Sequence, residues 1–413
     1  MMTYVVPHNM ANLATEFNRY FNNQVQLSRD EKTTAYNEVM PILEKLAKYI
    51  NKKDPRFGSE IIKVGSSFQG LKVGEPNEFD VNIPLMGIKQ YVWRPYEPRH
   101  YDMTKAAANQ NGGPVLPPNY HLQQMINQTC KKIDEVTIYK TSEAQPNPGA
   151  GYTFSQTNSN EAMWLNASDV VFEGDMIPIL IKKEYKRILI EGIRDLDLRR
   201  KVIVDKKFHG PAITIQVKGT DYKISVDMSV VVDRGARFPD YAGWPHRNTS
   251  WPAPQKKEAI SNIGVSFVTK KDLHWMVSSA LAEREVMRGI DEDGGCRKKC
   301  HRIMKKLNED YWSKGNNALS SYALKNLLFW ECEKLPYSDS WTSDKMADRI
   351  YCMTKSLYEK ICKNELNIFF IPVRNLLKKE TEEERRALSL AKANIAQFLQ
   401  NPLAVMQKLN AEV

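Results

Sequence analysis

Long apolar runs are missing from this chain of 413 residues. A membrane-spanning helix needs roughly 18 or more consecutive apolar residues, and no segment approaches that length. The N-terminal segment carries no basic cluster ahead of an apolar stretch, so we expect no secretory signal peptide. These absences predict a soluble protein of the cytoplasm with no membrane partner.

Cysteine is also sparse. Six cysteines are too few for a disulfide scaffold in a chain of this length, so we expect reduced thiols. Cys296, Cys300 and His301 have a spacing that suggests a metal site. A structural zinc usually needs four ligands, and no fourth candidate lies near them in sequence. We therefore expect no zinc.

Acidic residues are outnumbered, because 59 lysines and arginines stand against 49 aspartates and glutamates, a net charge of +10. Such an excess favours a polyanionic partner such as nucleic acid, with a basic protein lacking such a partner as the alternative. The basic side chains concentrate in residues 182–187, 199–207 and 297–306. The candidate nucleic-acid contacts are Lys182, Lys183, Lys186, Arg187, Arg199, Arg200, Lys201, Lys298 and Lys299.

An acidic pair follows a Gly-Ser turn near the start of the chain. Gly65 and Ser66 end a short apolar segment, and Glu78 and Asp80 alternate with apolar residues in the next one. Residues two apart in a strand point to the same side, so both carboxylates project from one face. Paired carboxylates suit Mg²⁺, and the backbone N–H groups of such a turn can bind phosphate. The pattern predicts a metal-dependent nucleotide site with its reaction at phosphorus.

A third carboxylate lies in a later strand candidate. Residues 223–232 alternate strictly, with Asp227 among serines on the polar face. A solvated edge strand would explain this pattern in isolation. Together with Glu78 and Asp80, it predicts a third metal ligand.

The remaining patterns predict an α+β protein with two lobes. We expect a catalytic lobe in residues 1–238, with a mixed β-sheet braced by a long N-terminal helix, and a helical C-terminal lobe in residues 239–413, with the active site in the cleft between them. We also predict a brace helix at 29–50, an irregular insert at 90–119 and a helix at 122–133. Further along the chain, we predict a helical stretch at 169–198 that Pro178 either kinks or starts, and strands at 211–217 and 223–232.

This arrangement resembles the nucleotidyltransferase signature of the cyclic GMP-AMP synthase family. Within that family it looks like the animal cyclic GMP-AMP synthase-like receptors of the male-abnormal-21 (Mab-21) group. The positions that carry the signature are Gly65, Ser66, Glu78, Asp80 and Asp227. Further segments that resemble the family are residues 210–215, 296–305, 320–325 and 370–374.

The resemblance implies a bilobal nucleotidyltransferase fold and a cyclic dinucleotide synthase, with ATP and GTP as substrates and cyclic GMP-AMP as the expected product. It implies that the three carboxylates hold two Mg²⁺ or Mn²⁺ ions, which activate the attacking hydroxyl and neutralise the leaving pyrophosphate. The nucleotide contacts it implies are Gly65, Ser66, Ser67, Lys305, Ser321 and Tyr322. From spacing alone, Ser321 and Tyr322 also fit a helix cap and a core tyrosine.

Two departures from the family pattern bear on the activator and the product. Residues 283–295 contain no His or Cys, so the zinc insertion with which the vertebrate sensor grips DNA cannot form. Related receptors without it sense double-stranded RNA, which is the activator we expect, in innate antiviral defence and with possible oligomerisation on RNA. Val64, Ser229 and Gly264 replace family residues that touch bases, which leaves the bases and the linkage open.

Other readings of the sequence stay open. Double-stranded DNA or another ligand is the alternative activator. A non-catalytic Mab-21-like binding protein is the alternative from a different class, although the complete acidic triad speaks against it. A linear oligoadenylate or terminal nucleotidyltransferase shares the Gly-Ser and acidic pattern.

Overall fold

The computed structural model describes most of the chain. The described residues are 9–88, 91–95, 138–143, 164, 167, 169–172, 175–236, 238, 242, 244–245, 247, 249–269, 275–316, 318–372 and 374–412. No helix among them is long and apolar enough to cross a membrane. The predicted helix at 122–133 and most of the predicted insert at 90–119 lie outside the described residues.

Nine of the described strands form one mixed sheet. The strands are β1 (Ile62–Val64), β2 (Glu78–Pro84), β3 (Tyr91–Pro95), β4 (Ile138–Glu143), β5 (Val171–Phe172), β6 (Asp175–Met176), β7 (Val202–Val204), β8 (Ala212–Lys218), β9 (Lys223–Ala236), β10 (Val265–Val268) and β11 (Trp275–Ser278). The order is β1-β2-β9-β10-β11-β4-β3, with β8 also paired to β9 and β7 to β8. Strands β5 and β6 form a separate hairpin.

The pairing of β2 with β9 is parallel and brings the predicted carboxylates together. Asp80 lies opposite Asp227, and Glu78 lies opposite Ser225. The register follows from the alternation in β9, whose apolar side chains are buried on one face while its polar residues lie on the other. Both predicted strands at 211–217 and 223–232 are confirmed.

Eleven α-helices occur in the described residues. They are α1 (Met10–Tyr20), α2 (Arg29–Lys53), α3 (Gly65–Gln69), α4 (Pro178–Asp195), α5 (Pro254–Ile263), α6 (Ala280–Met287), α7 (Arg297–Leu307), α8 (Ser321–Lys334), α9 (Met346–Lys363), α10 (Glu382–Gln400) and α11 (Pro402–Ala411). The long helix α2 begins with the predicted capping box of Ser28 and Glu31. It packs against α4, which confirms the predicted brace helix.

Three segment predictions need correction. In the helical stretch predicted at 169–198, Pro178 marks the start of the helix, which is one of the two predicted alternatives, because proline fixes the backbone of a first helical turn; the part before it contains the paired strands β5 and β6 instead of helix. Tyr91–Pro95 is a strand inside the predicted irregular insert. Strands β10 and β11 follow residue 239 in sequence, yet they belong to the sheet of the first lobe.

The C-terminal half packs around α7. Helix α7 contacts α8 and α9, and the N-terminal helix α1 packs on α9 and α11. The chain's N-terminal segment therefore lies against the C-terminal helices. Arg284 of α6 donates from Nη1 to the carbonyl of Lys63 at 2.7 Å, which links the helices to the edge of the sheet beside α3.

Candidate active site

The three predicted carboxylates meet on one face of the sheet. One carboxylate oxygen from each of Glu78, Asp80 and Asp227 can be chosen so that all lie within 4.8 Å of one another. Among the described residues, this is the one group of three or more His, Cys, Asp or Glu side chains that comes together in this way. Strand register alone creates the cluster, because Asp80 and Asp227 are parallel-paired and Glu78 is two residues from Asp80.

The close approach of the three carboxylates contributes to a shift in the pKa of Asp80. Burial, together with the neighbouring charges of Glu78 and Asp227, raises the pKa of Asp80 to about 7. Burial also acts to raise the pKa of Glu78, but the hydrogen bond and charge of Lys72, with the charge of Lys305, bring it below its ordinary value. A divalent cation would relieve the repulsion that acts on Asp80.

Neighbouring residues hold the carboxylates in position. Thr214 on β8 donates from its hydroxyl to Asp227 Oδ1 at 2.6 Å. Lys72 Nζ donates to Glu78 Oε2 at 2.8 Å. Neither Lys72 nor Thr214 was predicted as a site residue. The one sequence signal for Thr214 was its place in the strand candidate beside the one that carries Asp227.

The Gly-Ser turn is the start of the short helix α3. Gly65 has a φ of +78° and Gly70, just beyond the last turn, has a φ of +73°. Gly65 and Ser66 line the cleft beside the triad. Ser67, also predicted as a nucleotide contact, donates from its hydroxyl to the carbonyl of Glu78 at 2.5 Å, and its side chain lines a pocket on the other side of α3.

A cleft of about 590 Å³ lies between the sheet and the C-terminal helices. Glu78 and Asp80 form part of its wall, and the predicted Lys305, Ser321 and Tyr322 line it from α7 and α8. Ser320, rather than Ser321, caps α8, since its hydroxyl accepts from the N–H of Ala323 at 3.1 Å. Ser321 is therefore exposed to the cleft.

Lys305 is the most deeply buried of the residues predicted to contact phosphate. Its side chain is buried, and burial together with the charge of Lys72 lowers its pKa. The charges of Glu78 and Asp80 act in the opposite direction, which places Lys305 within electrostatic reach of the triad. An ammonium here can offset the negative charge of a bound phosphate.

Tyr322 is half-buried in the cleft wall and belongs to a hydrogen-bonded group centred on Glu283. The carboxylate of Glu283 accepts from Ser279 at 2.7 Å and from Tyr322 at 2.9 Å. Lys325 Nζ lies 2.6 Å from Glu283 Oε2 and 3.4 Å from Gln69 Oε1. This group joins α6, α8 and α3 in the wall of the cleft. Sequence reasoning missed Glu283 and Lys325, because nothing local to either residue marks the contact.

The predicted nucleic-acid contacts divide into internal and exposed side chains. Lys182 is buried and donates to the carbonyl of Gly210 at 3.2 Å, so its ammonium is not presented to a ligand at the surface. Lys186 donates to the carbonyls of Asp205 and Lys206. The exposed members are Lys183, Arg187, Arg199, Arg200 and Lys201.

Two members of the basic set, Arg187 and Lys299, have side-chain partners within the fold. Arg187 is exposed but pairs with Glu184 at 2.7 Å. Lys299 donates to Asn18 Oδ1 at 2.7 Å. Lys298 is half-buried, and its Nζ lies beside Gly70. The structure therefore does not present the nine predicted cations as one uniform surface.

Comparison with known proteins agrees with this architecture. The model of the Mab-21 protein nucleotidyltransferase domain matches residues 67–289. The chain belongs to the Mab-21 family. The model of the Mab-21 protein HhH/H2TH-like domain matches residues 296–392. The predicted membership of the Mab-21 group and the predicted α+β fold are thereby confirmed.

Curated relatives in the family span nearly the whole chain. The chain is 26% identical to Protein mab-21-like 3 of Danio rerio over 94% of its own length and 97% of that protein. It is 25% identical to Protein mab-21-like 3 of Xenopus laevis, over 94% and 96%. Protein mab-21-like of Drosophila melanogaster is 21% identical, over 88% and 87%.

Within this Mab-21 nucleotidyltransferase domain, the donor set fits a divalent metal. Three carboxylates supply hard oxygen ligands, and burial together with the charges of Glu78 and Asp227 raises the pKa of Asp80. Glu78, Asp80 and Asp227 would hold the metal. A metal bound there would neutralise charge on a phosphate and lower the pKa of an attacking hydroxyl.

Proposed function

We propose that this protein is a metal-dependent nucleotidyltransferase that joins ATP and GTP into a cyclic dinucleotide, cyclic GMP-AMP, with release of pyrophosphate. The observation that carries the proposal is the acidic triad, two of whose members, Glu78 and Asp80, form the wall of a cleft that Lys305 and Tyr322 also line. Two Mg²⁺ or Mn²⁺ ions on the triad would serve the reaction at phosphorus.

The residues of the cleft have separate tasks in this proposal. The N–H groups at the start of α3, at Gly65 and Ser66, approach the triphosphate. Lys305 offsets its charge, and Ser321 adds a hydroxyl contact. Tyr322 offers the face of its ring to a base, while its hydroxyl stays bonded to Glu283. This bond fixes the ring in the cleft wall before any nucleotide arrives.

The activator in this proposal is double-stranded RNA. The net charge of +10 favours a polyanion, and Lys183, Arg199, Arg200 and Lys201 are exposed cations on and just after α4. Contacts to the phosphate backbone are independent of base sequence, as recognition of an RNA duplex requires. The product then acts as a second messenger of antiviral defence, and the protein works in the cytoplasm as a cyclic GMP-AMP synthase-like receptor.

The test is a product assay with defined activators. The protein is incubated with ATP, GTP and Mg²⁺ or Mn²⁺, with an RNA duplex, a DNA duplex or no polynucleotide, and products are identified by mass and nuclease sensitivity. We expect a cyclic dinucleotide with RNA only. Asp227→Asn should abolish formation of the cyclic dinucleotide and keep RNA binding. The matched control Asp221→Asn, on an exposed residue just before β9, should still form the product.

The other outcomes select among the competing functions. Turnover with the DNA duplex alone would change the activator and keep the chemistry. A ladder of linear products would identify a terminal nucleotidyltransferase. No product under any condition would favour a non-catalytic binding protein, and full turnover by Asp227→Asn would exclude the triad as the metal site.

A further inference from the structure

A second cavity of about 270 Å³ lies on the far side of α3 from the cleft. We call it the back pocket. It is lined by Leu27, Lys32, Thr33, Tyr36, Ser67, Phe68, Gly70, Lys72, Pro76 and Phe79. The lining combines apolar side chains, three hydroxyls and two ammonium groups, and no carboxylate belongs to this described lining. That composition suits a small molecule with an apolar body and a negative charge.

Helix α3 is the shared wall between the back pocket and the cleft. Gly65, Ser66 and Gln69 line the cleft, whereas Ser67 and Phe68 line the back pocket. Successive helical residues point in different directions, so a single turn of helix presents side chains to both cavities. A ligand in the back pocket therefore lies one helix thickness from the nucleotide site.

Lys72 connects the two cavities chemically. Its side chain lines the back pocket, and its Nζ donates to Glu78 Oε2 at 2.8 Å. Glu78 is a member of the acidic triad, so the ammonium of Lys72 and a divalent cation draw on the same carboxylate. An anion in the back pocket offers Lys72 a second partner on its other side.

Ring contacts supply the apolar part of the site. The rings of Phe68 and Phe79 lie with their centroids 5.5 Å apart, and Tyr36 meets Phe68 edge-on at 6.5 Å. Phe79 stands between Glu78 and Asp80 in β2, with its side chain on the opposite face of the strand. A ring bound here would contact the strand that carries two of the metal ligands.

We infer that the back pocket is an effector site for a small aromatic anion, which takes Lys72 away from Glu78 and so makes the triad more available to its metal. The inference rests on the proposed function only in taking the triad as a metal site. Because coupling between two binding sites is reciprocal, the metal must strengthen binding of the anion by the same factor.

The test uses naphthalene-2-sulfonate as the probe, with uncharged naphthalene-2-sulfonamide as its matched control. Binding of each probe is measured by titration calorimetry, and Mn²⁺ affinity is measured by electron paramagnetic resonance with and without probe. We expect the sulfonate to strengthen Mn²⁺ binding roughly 5- to 10-fold, at the low end of usual allosteric couplings. The sulfonamide should leave Mn²⁺ affinity unchanged.

Two variants locate the effect. Thr33→Trp fills the back pocket from an exposed position on α2, and should weaken sulfonate binding at least tenfold while leaving Mn²⁺ affinity without probe unchanged. Lys72→Met should bind Mn²⁺ more tightly than the wild type and lose the coupling. The control Lys256→Met removes a lysine paired with Glu285 at 3.1 Å, outside both cavities, and should keep the coupling.

Each contrary result has a distinct meaning. Sulfonate binding that Thr33→Trp does not weaken, or Mn²⁺ affinity that the sulfonate does not change, would overturn the effector site while the triad still binds metal. Full coupling in Lys72→Met would overturn the role of Lys72. Absence of Mn²⁺ binding in every variant would overturn the proposed function, and the coupling with it.

Discussion

Gly65 and Asp80 approach so closely that no side chain fits between them. A Cβ added to Gly65 would lie 1.8 Å from Asp80 Oδ2, and the φ of +78° at Gly65 is in the left-handed region. Steric exclusion and backbone conformation thus both require glycine there. The start of α3 therefore packs directly on a carboxylate of the triad.

Gly65→Ala should displace Asp80 and disable the triad. We expect Mn²⁺ affinity to fall at least tenfold and product formation to be lost. The control is Gly315→Ala, which has a similar φ of +74° with open space around it. It should cost about 1–2 kcal/mol of stability through backbone strain and leave Mn²⁺ affinity intact. Equal effects of both variants on Mn²⁺ would refute the steric argument.

Thr214→Val should weaken the metal site without removing a ligand. The hydroxyl of Thr214 bonds Asp227 Oδ1 at 2.6 Å, and losing such a partner of a ligand typically costs about 10- to 100-fold in metal affinity. Mn²⁺ titration measures the loss of metal affinity. Thr214→Ser, which keeps the hydroxyl, should retain most of the wild-type affinity. Normal Mn²⁺ affinity in Thr214→Val would mean that the strands alone position Asp227.

The ionisation of Asp80 gives the metal-free protein a specific pH dependence. Burial and the charges of Glu78 and Asp227 raise the pKa of Asp80 from 3.8 to about 7. Between these values the folded state holds a proton that the unfolded state releases. The stability contributed by this proton is complete below pH 3.8 and is lost as the pH rises to about 7. Asp80→Asn removes that part of the pH dependence.

Urea unfolding in a chelator, compared between wild type and Asp80→Asn across this pH window, measures the effect. Because Mn²⁺ must displace the same proton, its affinity for the wild type should rise with pH up to about 7. A flat Mn²⁺ affinity across this range would show that Asp80 binds the metal without losing a proton.

Glu283→Gln should destabilise the contact between α6 and α8. It leaves the Lys325 ammonium, which lies 2.6 Å from the carboxylate, buried without its charge partner. Breaking a buried pair in this way costs about 3–5 kcal/mol. The double variant Glu283→Gln, Lys325→Met should recover part of the loss in urea unfolding. A double variant less stable than the single one would mean that Lys325 has another dominant partner.

The exposed and the buried cations should respond differently in an RNA-binding assay. Replacing Arg199, Arg200 and Lys201 by alanine should weaken duplex RNA binding and lower the salt dependence of the affinity, because fewer counterions are released. Lys182→Met should lower stability, since the lysine is bonded to Gly210, and keep the salt dependence. If the salt dependence of RNA binding changed only in Lys182→Met, the RNA contact would be assigned to Lys182 and not to the three exposed cations.

Much of the site could be predicted because its pattern is local. The alternation around Glu78, Asp80 and Asp227 follows from the two-residue period of a strand, and the structure confirms both strands. The capping box of Ser28 and Glu31 likewise predicted the start of α2. Tertiary position could not be predicted in this way, as Ser67 illustrates, because which side of α3 faces the cleft depends on how the helix packs.

The sequence by itself determined the chemistry of this protein: three carboxylates at strand spacing, a Gly-Ser turn before them and an excess of positive charge. Only the tertiary structure decided which cations are available. Lys182 is internal, Lys72 is paired with Glu78, and Lys325 is held by Glu283. The physical reason is that a charge run has no direction in sequence, whereas burial and pairing depend on residues that are distant along the chain.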